Sequence, residues 1–244
     1  MTAAAQEIRR GGIIAAGTGS RLRAAGWATP KPLVPICGRP MLDHILENFR
    51  AATLTRLSII FNEQGAEACR EWLAENAADF DLDIVTKTTP SSFASFRIIA
   101  RRLAGDRAVI STVDAWIPGR GFADFVAAAA ALPPEAVVLG VTERVDDEKP
   151  LWLTLDETDG AVRALGGSSG SHVTAGLYVL PATPSFPENT DFARLRDYLR
   201  WLVDSGRPVH GVPIADVIDL DRVDDIAAAE RAAPTDTDMN SRRA

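Results

Sequence analysis

Short apolar runs closed by glycine or polar residues alternate along the first part of the chain with longer stretches whose apolar side chains recur every three or four positions. Runs of the first kind read as buried strands and stretches of the second as amphipathic helices. GGIIAAG (11–17), LSIIF (57–61), LDIVTK (82–87), AVISTV (108–113) and AVVLGVT (136–142) are the strands. RPMLDHILENFRAA (39–52) sets Met41, Leu42, Ile45, Leu46 and Phe49 on one helical face. Pro40 stands near its first turn, where a missing N–H costs nothing. Further helices are expected over 64–77, 92–103 and 122–132. Strands that alternate with helices of this length indicate βαβ units and a parallel sheet covered on both faces.

The rhythm changes after about residue 143. LWLTLD, the turn ETDG and AVRALG (151–166) predict a hairpin, and VTAGLYVL (173–180) another strand. A helix near 192–204 precedes the short segments VHGVPI and VIDL. The last helix, VDDIAAAERAA, starts after Arg222, and Asp224 and Asp225 suit the positive end of its dipole. The pattern amounts to one α/β domain over residues 1–233, with a small antiparallel lobe inserted late, at about 143–180. The polar, aperiodic stretch 234–244 is expected to be disordered.

The 244 residues carry a formal charge of -7, which disfavours a nucleic-acid partner, since phosphate backbones need a basic face. No stretch approaches the roughly 20 apolar residues of a membrane span, and the opening MTAAAQEIRR lacks a signal-peptide core. Two cysteines, Cys37 and Cys69, make no disulfide framework and match no metal-ligand spacing. A cytoplasmic enzyme or binding protein is the expectation. The three histidines are scattered and read as structural.

The chemistry concentrates after the first strand, in GTGSRLRAAGWATPKPLVP (17–35). Ligands of an open parallel sheet bind beyond the carboxyl ends of its strands. Gly17 and Gly19 lack Cβ atoms, so backbone N–H groups there can cradle an anion. Arg21 and Lys31 can add charge-assisted hydrogen bonds to phosphate oxygens. Pro30, Pro32 and Pro35 stiffen the stretch that carries Lys31. The pattern is neither a dinucleotide fingerprint nor a Walker A loop: the third glycine is missing, a long proline-rich loop stands where the helix would start, and no Gly-Lys-Ser/Thr follows.

AAGTGSRL, followed ten residues after Arg21 by PKPLVPICGRPML, resembles the nucleotidyltransferase superfamily of sugar-1-phosphate pyrophosphorylases. The resemblance spans roughly residues 10–232. The interval from arginine to lysine matches the sugar-phosphate enzymes, whereas molybdopterin and methylerythritol-phosphate nucleotidyltransferases place the two closer. Ala24 and Gly26 stand where the sugar enzymes usually carry a proline and a threonine. The resemblance implies a Rossmann-like, mostly parallel sheet flanked by helices (the GT-A-like nucleotidyltransferase fold). It implies transfer of a nucleotide from a nucleoside triphosphate to a phosphorylated acceptor, with release of pyrophosphate. Ala16, Gly17, Thr18, Gly19, Ser20 and Arg21 would hold the triphosphate, and Lys31 would stabilise charge at the α-phosphate.

Joining two anions needs charge compensation, and Mg2+ held by one or two carboxylates is the usual device. Asp114 follows the strand AVISTV directly, where the resembled family places a metal-binding aspartate, with Val113 in place of its usual glycine. A turn or cap aspartate is the plain alternative. DVIDLDRVDD resembles the family's late metal segment and favours Asp219 as second ligand, ahead of Asp221 and then Asp216. The resemblance also assigns Lys149 to the acceptor's phosphate and Thr174 to the acceptor, at a position where the family often has asparagine. Ser91, Ser92 and Ser95 sit where the family reads the base, and equally suit helix capping. Trp116 and Trp152 fall near the cleft and suit either an acceptor wall or core packing.

A sugar 1-phosphate is the first expectation for the acceptor, with inositol phosphate, phosphocholine or a phosphonate, joined to CTP, as the alternative. A metal-dependent glycosyltransferase would want a second aspartate in VDAW. A non-catalytic nucleotide-sensing subunit would have no need of both Lys31 and Asp114. The chain ends soon after its last helix, so no hexapeptide-repeat acetyltransferase domain is expected.

Overall fold

The computed structural model describes residues 7–145, 149–188 and 190–233. The chain runs β1 (Arg10–Ala15), α1 (Ser20–Ala24), β2 (Pro35–Ile36), β3 (Arg39–Pro40), α2 (Met41–Ala51), β4 (Arg56–Phe61) and α3 (Ala66–Asn76). It continues through β5 (Asp81–Thr86), α4 (Ser92–Leu103), β6 (Ala108–Thr112), β7 (Ala115–Trp116), α5 (Gly121–Ala130), β8 (Val137–Thr142) and β9 (Trp152–Leu155). It closes with β10 (Val162–Leu165), β11 (His172–Leu180), α6 (Leu195–Asp204), β12 (Val209–Pro213), β13 (Ile218–Asp219) and α7 (Val223–Ala232). The expected disorder of 234–244 falls outside the described residues.

Strands β5, β4, β1 and β6 lie side by side in parallel, as the helical crossovers between them require. Next to β6 runs β11, antiparallel, and then β8, which pairs β12 in parallel. The β9–β10 hairpin attaches to the start of β11 through Trp152 and Leu153. The late antiparallel lobe is therefore continuous with the main sheet, because one long strand serves both. Between Thr174 and Tyr178 the pairing of β11 with β8 shifts register, a bulge of the sort that re-aims side chains near sites.

Helices α2, α3 and α5 bury their apolar faces on one side of the sheet, through Phe49, Leu73 and Phe125 among others. On the other side α4 and α6 pack through Phe93, Phe96, Tyr198 and Leu202. The paired glycines of β1 answer to this sandwich. A Cβ on Gly11 would lie 2.3 Å from the Phe49 ring of α2, and one on Gly12 would lie 2.5 Å from Ile99 of α4. Both helices thus approach the strand more closely than any side chain would allow.

A third apolar cluster joins Leu22, Val34, Ile36, Met41, Trp116, Ile218, Leu220 and Ile226. It corrects the expected proline-rich loop. Residues 20–24 form the helix α1, and Lys31–Leu33 form a single helical turn. The reason is tertiary: Leu22 is buried in this cluster, which local propensity does not reveal. Trp116 is buried in the same cluster, so packing is its use.

Arg107, fully buried just before β6, closes the end of α5. Its guanidinium donates to the carbonyls of Ala129 at 2.8 Å and Leu132 at 3.0 Å. Cationic donors at a helix C-terminus satisfy orphan carbonyls and oppose the helix dipole.

Candidate active site

The glycine stretch is held in shape from two sides. Asn62, just past the end of β4, donates its amide to the Gly17 carbonyl at 2.8 Å and accepts from the Gly65 N–H at 3.0 Å. The Arg23 guanidinium donates to the Thr18 carbonyl and reaches Gln64 at 3.0 Å. Gly19 takes the left-handed conformation (φ 60°) that opens α1, and a Cβ there would stand 3.0 Å from the Lys31 Cβ. Backbone and lysine are thereby brought together at the carboxyl end of β1.

Lys31 is only 8% exposed. Its Nζ donates to Asp114 Oδ2 at 2.7 Å and to Asp221 Oδ1 at 2.6 Å. Burial alone would lower the Lys31 pKa, but the two carboxylates outweigh it and hold the ammonium well above its usual range. Asp114 is the converse. Burial pushes its carboxyl up, and the Lys31 charge with the Thr112 hydroxyl brings it below the ordinary value. Arg21, more exposed, donates to the other oxygen of Asp221 at 2.5 Å.

The late aspartates reach this point through a two-residue ladder. Asp219 of β13 pairs with Ala115 of β7, and the Leu220 N–H donates to the Asp114 carbonyl at 3.0 Å. Asp225, in the first turn of α7, accepts from the N–H groups of Asp221 and Arg222, which fixes the bend carrying Asp221. One carboxylate oxygen each from Asp114, Asp219 and Asp221 lie within 4.8 Å of one another. Among the described residues this is the one cluster of three or more acidic, histidine or cysteine ligands. Both late candidates are in it. Asp216 is not; it lines a separate hollow beside Trp116 and Pro118.

Two clefts meet at Asp114. The larger, about 460 Å3, runs along residues 16–21 and Lys31 to the wall formed by Thr89, Ser91, Ser92 and Ser95. All the expected triphosphate-binding positions line it. Ser91 is at the same time the N-cap of α4, accepting from the Ala94 N–H at 3.1 Å. The smaller cleft, about 220 Å3, is bounded by Thr142, Leu151, Thr174 and Tyr178. Thr112 and Asp114 line both.

Lys149 is not among the residues lining the smaller cleft; its carbonyl accepts from Arg196 Nη2 at 3.0 Å. Residues 146–148, just before it, lie outside the described residues. Arg196, on the first turn of α6, and Arg144, just past β8, do line that cleft. Sequence reasoning missed both, and Asn62 as well. No spacing marks them, because they reach the site only through the docking of α6, the pairing of β8 with β11 and the parallel pairing of β4 with β1.

Residues 11–188 match the MobA-like NTP transferase domain. The chain belongs to that family. A stretch of 99 residues is 29% identical to the low-salt glycan biosynthesis nucleotidyltransferase Agl11 of Haloferax volcanii, covering 40% of this chain and 28% of that protein. The chain thus spans less than a third of the length of this curated relative. Over the whole fold, the inositol-1-phosphate CTP transferase of T. maritima superposes with a TM-score of 0.74 at 17% identity, covering 93% of this chain and 98% of the other. The UDP-glucose pyrophosphorylase of Acinetobacter baumannii superposes with 0.74 at 15% identity, covering 91% and 92%. The shared architecture is the mostly parallel sheet with its small antiparallel additions. No helix among the described residues is long and apolar enough to cross a membrane.

Proposed function

We propose that the domain transfers a nucleotide from a nucleoside triphosphate to a phosphorylated small molecule, first of all a sugar 1-phosphate. The observation that carries this reading is the meeting of the two clefts at Asp114, with Lys31 at the junction. The larger cleft suits the triphosphate, its phosphates on the backbone of residues 16–20 and on Arg21, its base or ribose near Ser91 and Ser92. The smaller cleft suits the acceptor, with Thr174 in its wall and Arg196 and Arg144 facing its phosphate. Lys149 serves this side through the carbonyl that holds Arg196.

An acceptor phosphate oxygen attacks the α-phosphorus, the bond to the bridging oxygen of the β-phosphate breaks, and pyrophosphate carries away the electron pair. A phosphate monoester is already anionic near neutral pH, so no side chain need remove a proton. Catalysis is then positioning and charge stabilisation. Lys31, locked in its ammonium form, offers that charge at the α-phosphate. The oxygens of Asp114, Asp219 and Asp221 are close enough together to hold one divalent cation, and Mg2+ suits an all-oxygen set shared with substrate phosphates. Held there, such an ion would supply charge neutralisation to the substrate phosphates. Cytoplasmic supplies of nucleoside triphosphate, and the two free cysteines, fit this reading.

The test is thermal unfolding with ATP, GTP, CTP, UTP and dTTP, each with and without Mg2+. A ligand at about 100 times its Kd stabilises by about 2.7 kcal/mol, a shift of several degrees. One triphosphate is expected to give a Mg2+-dependent shift. Pyrophosphate release is then assayed with glucose 1-phosphate, inositol 1-phosphate, phosphocholine and 2-aminoethylphosphonate. A flat response to all five triphosphates overturns the reading.

A further inference from the structure

Helix α6 begins without a cap of its own. Its N-cap residue, Arg194, makes no side-chain hydrogen bond to the first turn. The first helical N–H, that of Leu195, instead donates to the hydroxyl of Ser92 at 3.0 Å. Ser92 belongs to α4, so one helix caps the other. Ser91 adds a second tie, its hydroxyl donating to the Phe192 carbonyl at 3.3 Å. Both serines also line the glycine-loop cleft.

The residue after Leu195 is Arg196, which lines the other cleft and donates to the Lys149 carbonyl. A continuous path thus runs from the wall of one cleft, through the head of α6, to the cation in the other. The orphan N–H groups of a first helical turn need acceptors. Loss of the Ser92 hydroxyl would therefore loosen the turn that aims Arg196, while the buried face of Tyr198, Leu199 and Leu202 keeps the rest of the helix docked.

We propose that Ser92 is a positioning residue that couples the two clefts: by capping α6 it holds Arg196 in place, so that nucleotide seated against residues 89–92 strengthens anion binding at Arg196. This rests on the reading of the clefts as nucleotide and acceptor sites. Coupling of this kind is reciprocal, and typical values exceed about fivefold in affinity.

The experiment is calorimetric titration of inorganic phosphate into the full chain. It is run alone and at saturation with the Mg2+ complex of whichever of the five triphosphates raises the unfolding midpoint most. Wild type should bind phosphate at least about fivefold more tightly with nucleotide present. Arg196→Gln should lose that phosphate site, which assigns the probe to the smaller cleft. In Ser92→Ala the ratio should fall to about one, and Ser92→Thr, which keeps the hydroxyl, should restore it. An unchanged ratio in Ser92→Ala overturns the coupling, as does a ratio of one in wild type, a Thr variant that behaves as Ala, or undiminished binding by Arg196→Gln. If no triphosphate raises the midpoint, the transferase reading fails and takes the coupling with it. If one binds without altering phosphate affinity, only the coupling fails.

Discussion

The Lys31 ammonium sits 2.7 Å from the Asp114 carboxylate in a pocket that leaves the lysine 8% exposed. The pair joins the cation proposed for phosphate to an anion proposed for metal. Asp221 completes the arrangement by bonding both Lys31 and Arg21. Lys31 and Arg21 thereby balance the charges of Asp114 and Asp221 within one small site.

Replacing Lys31 removes the cation and leaves the Asp114 and Asp221 carboxylates facing each other without it. Lys31→Gln should lower turnover by about 10²–10³-fold, the usual cost of losing one preorganised donor. It should also destabilise the fold by about 1–3 kcal/mol, less than a fully buried pair because Asp114 keeps some access to water. Pyrophosphate release and thermal unfolding without divalent ions check the two effects. Near-normal turnover would remove Lys31 from the chemistry.

The carboxylates should differ in what their loss does. Asp114→Ala should reduce turnover by orders of magnitude with the fold intact. Asp219→Asn and Asp221→Asn compared side by side, by Mg2+ dependence of turnover, rank the two late ligands. Asp221→Asn should in addition loosen Arg21, so it should weaken triphosphate binding even without Mg2+, whereas Asp219→Asn should weaken it only when Mg2+ is present. Equal effects on triphosphate binding would contradict the separate roles.

Gly19 and Gly17 make a matched comparison. A side chain at Gly19 meets both the left-handed backbone and the Lys31 Cβ at 3.0 Å, whereas one at Gly17 meets open space. Gly19→Ala should cost about 1–2 kcal/mol and displace Lys31, and Gly17→Ala should leave the unfolding midpoint nearly unchanged. Denaturant midpoints of the two variants decide this.

Arg107 is a stability residue remote from both clefts. Arg107→Met strips the last carbonyls of α5 of their donor and should cost about 2–4 kcal/mol. For a chain of this size that lowers Tm by roughly 4–16 °C. A shift under a degree would mean that water replaces the guanidinium freely.

The cysteines should separate by reactivity. Burial pushes the Cys69 thiol up to about 12, so at pH 8 almost no thiolate is present; Cys37 is exposed. Since the pKa is raised, Cys69 should gain reactivity only as pH climbs toward that value. Iodoacetamide at pH 8 should add one label to the native chain, at Cys37, and two in urea. Mass spectrometry counts them.

Much of this protein was legible in one dimension. Strands β1, β4, β6 and β8 are mostly apolar runs because helices cover both faces of the sheet there, and α2 and α4 carry their apolar stripe at helical spacing. Gly17 and Asp114 were legible because each follows a strand end, where an open sheet places its ligands, and Arg21 and Lys31 because their spacing resembles the nucleotidyltransferase motif. What lay beyond reach depended on contacts far apart in the chain. Helix α1 forms because Leu22 finds Trp116 and Ile218 in a common cluster. Asp219 and Asp221 are named from the late segment's resemblance, but that both come within reach of Asp114 depends on the pairing of β13 with β7, a two-residue ladder too short to leave a pattern. Lys149 is expected at the acceptor, yet the docking of α6 gives the wall of the smaller cleft to Arg196, whose guanidinium donates to the Lys149 carbonyl. Local periodicity reports which face of an element is buried; which distant side chains then share a site is decided by how those faces pack.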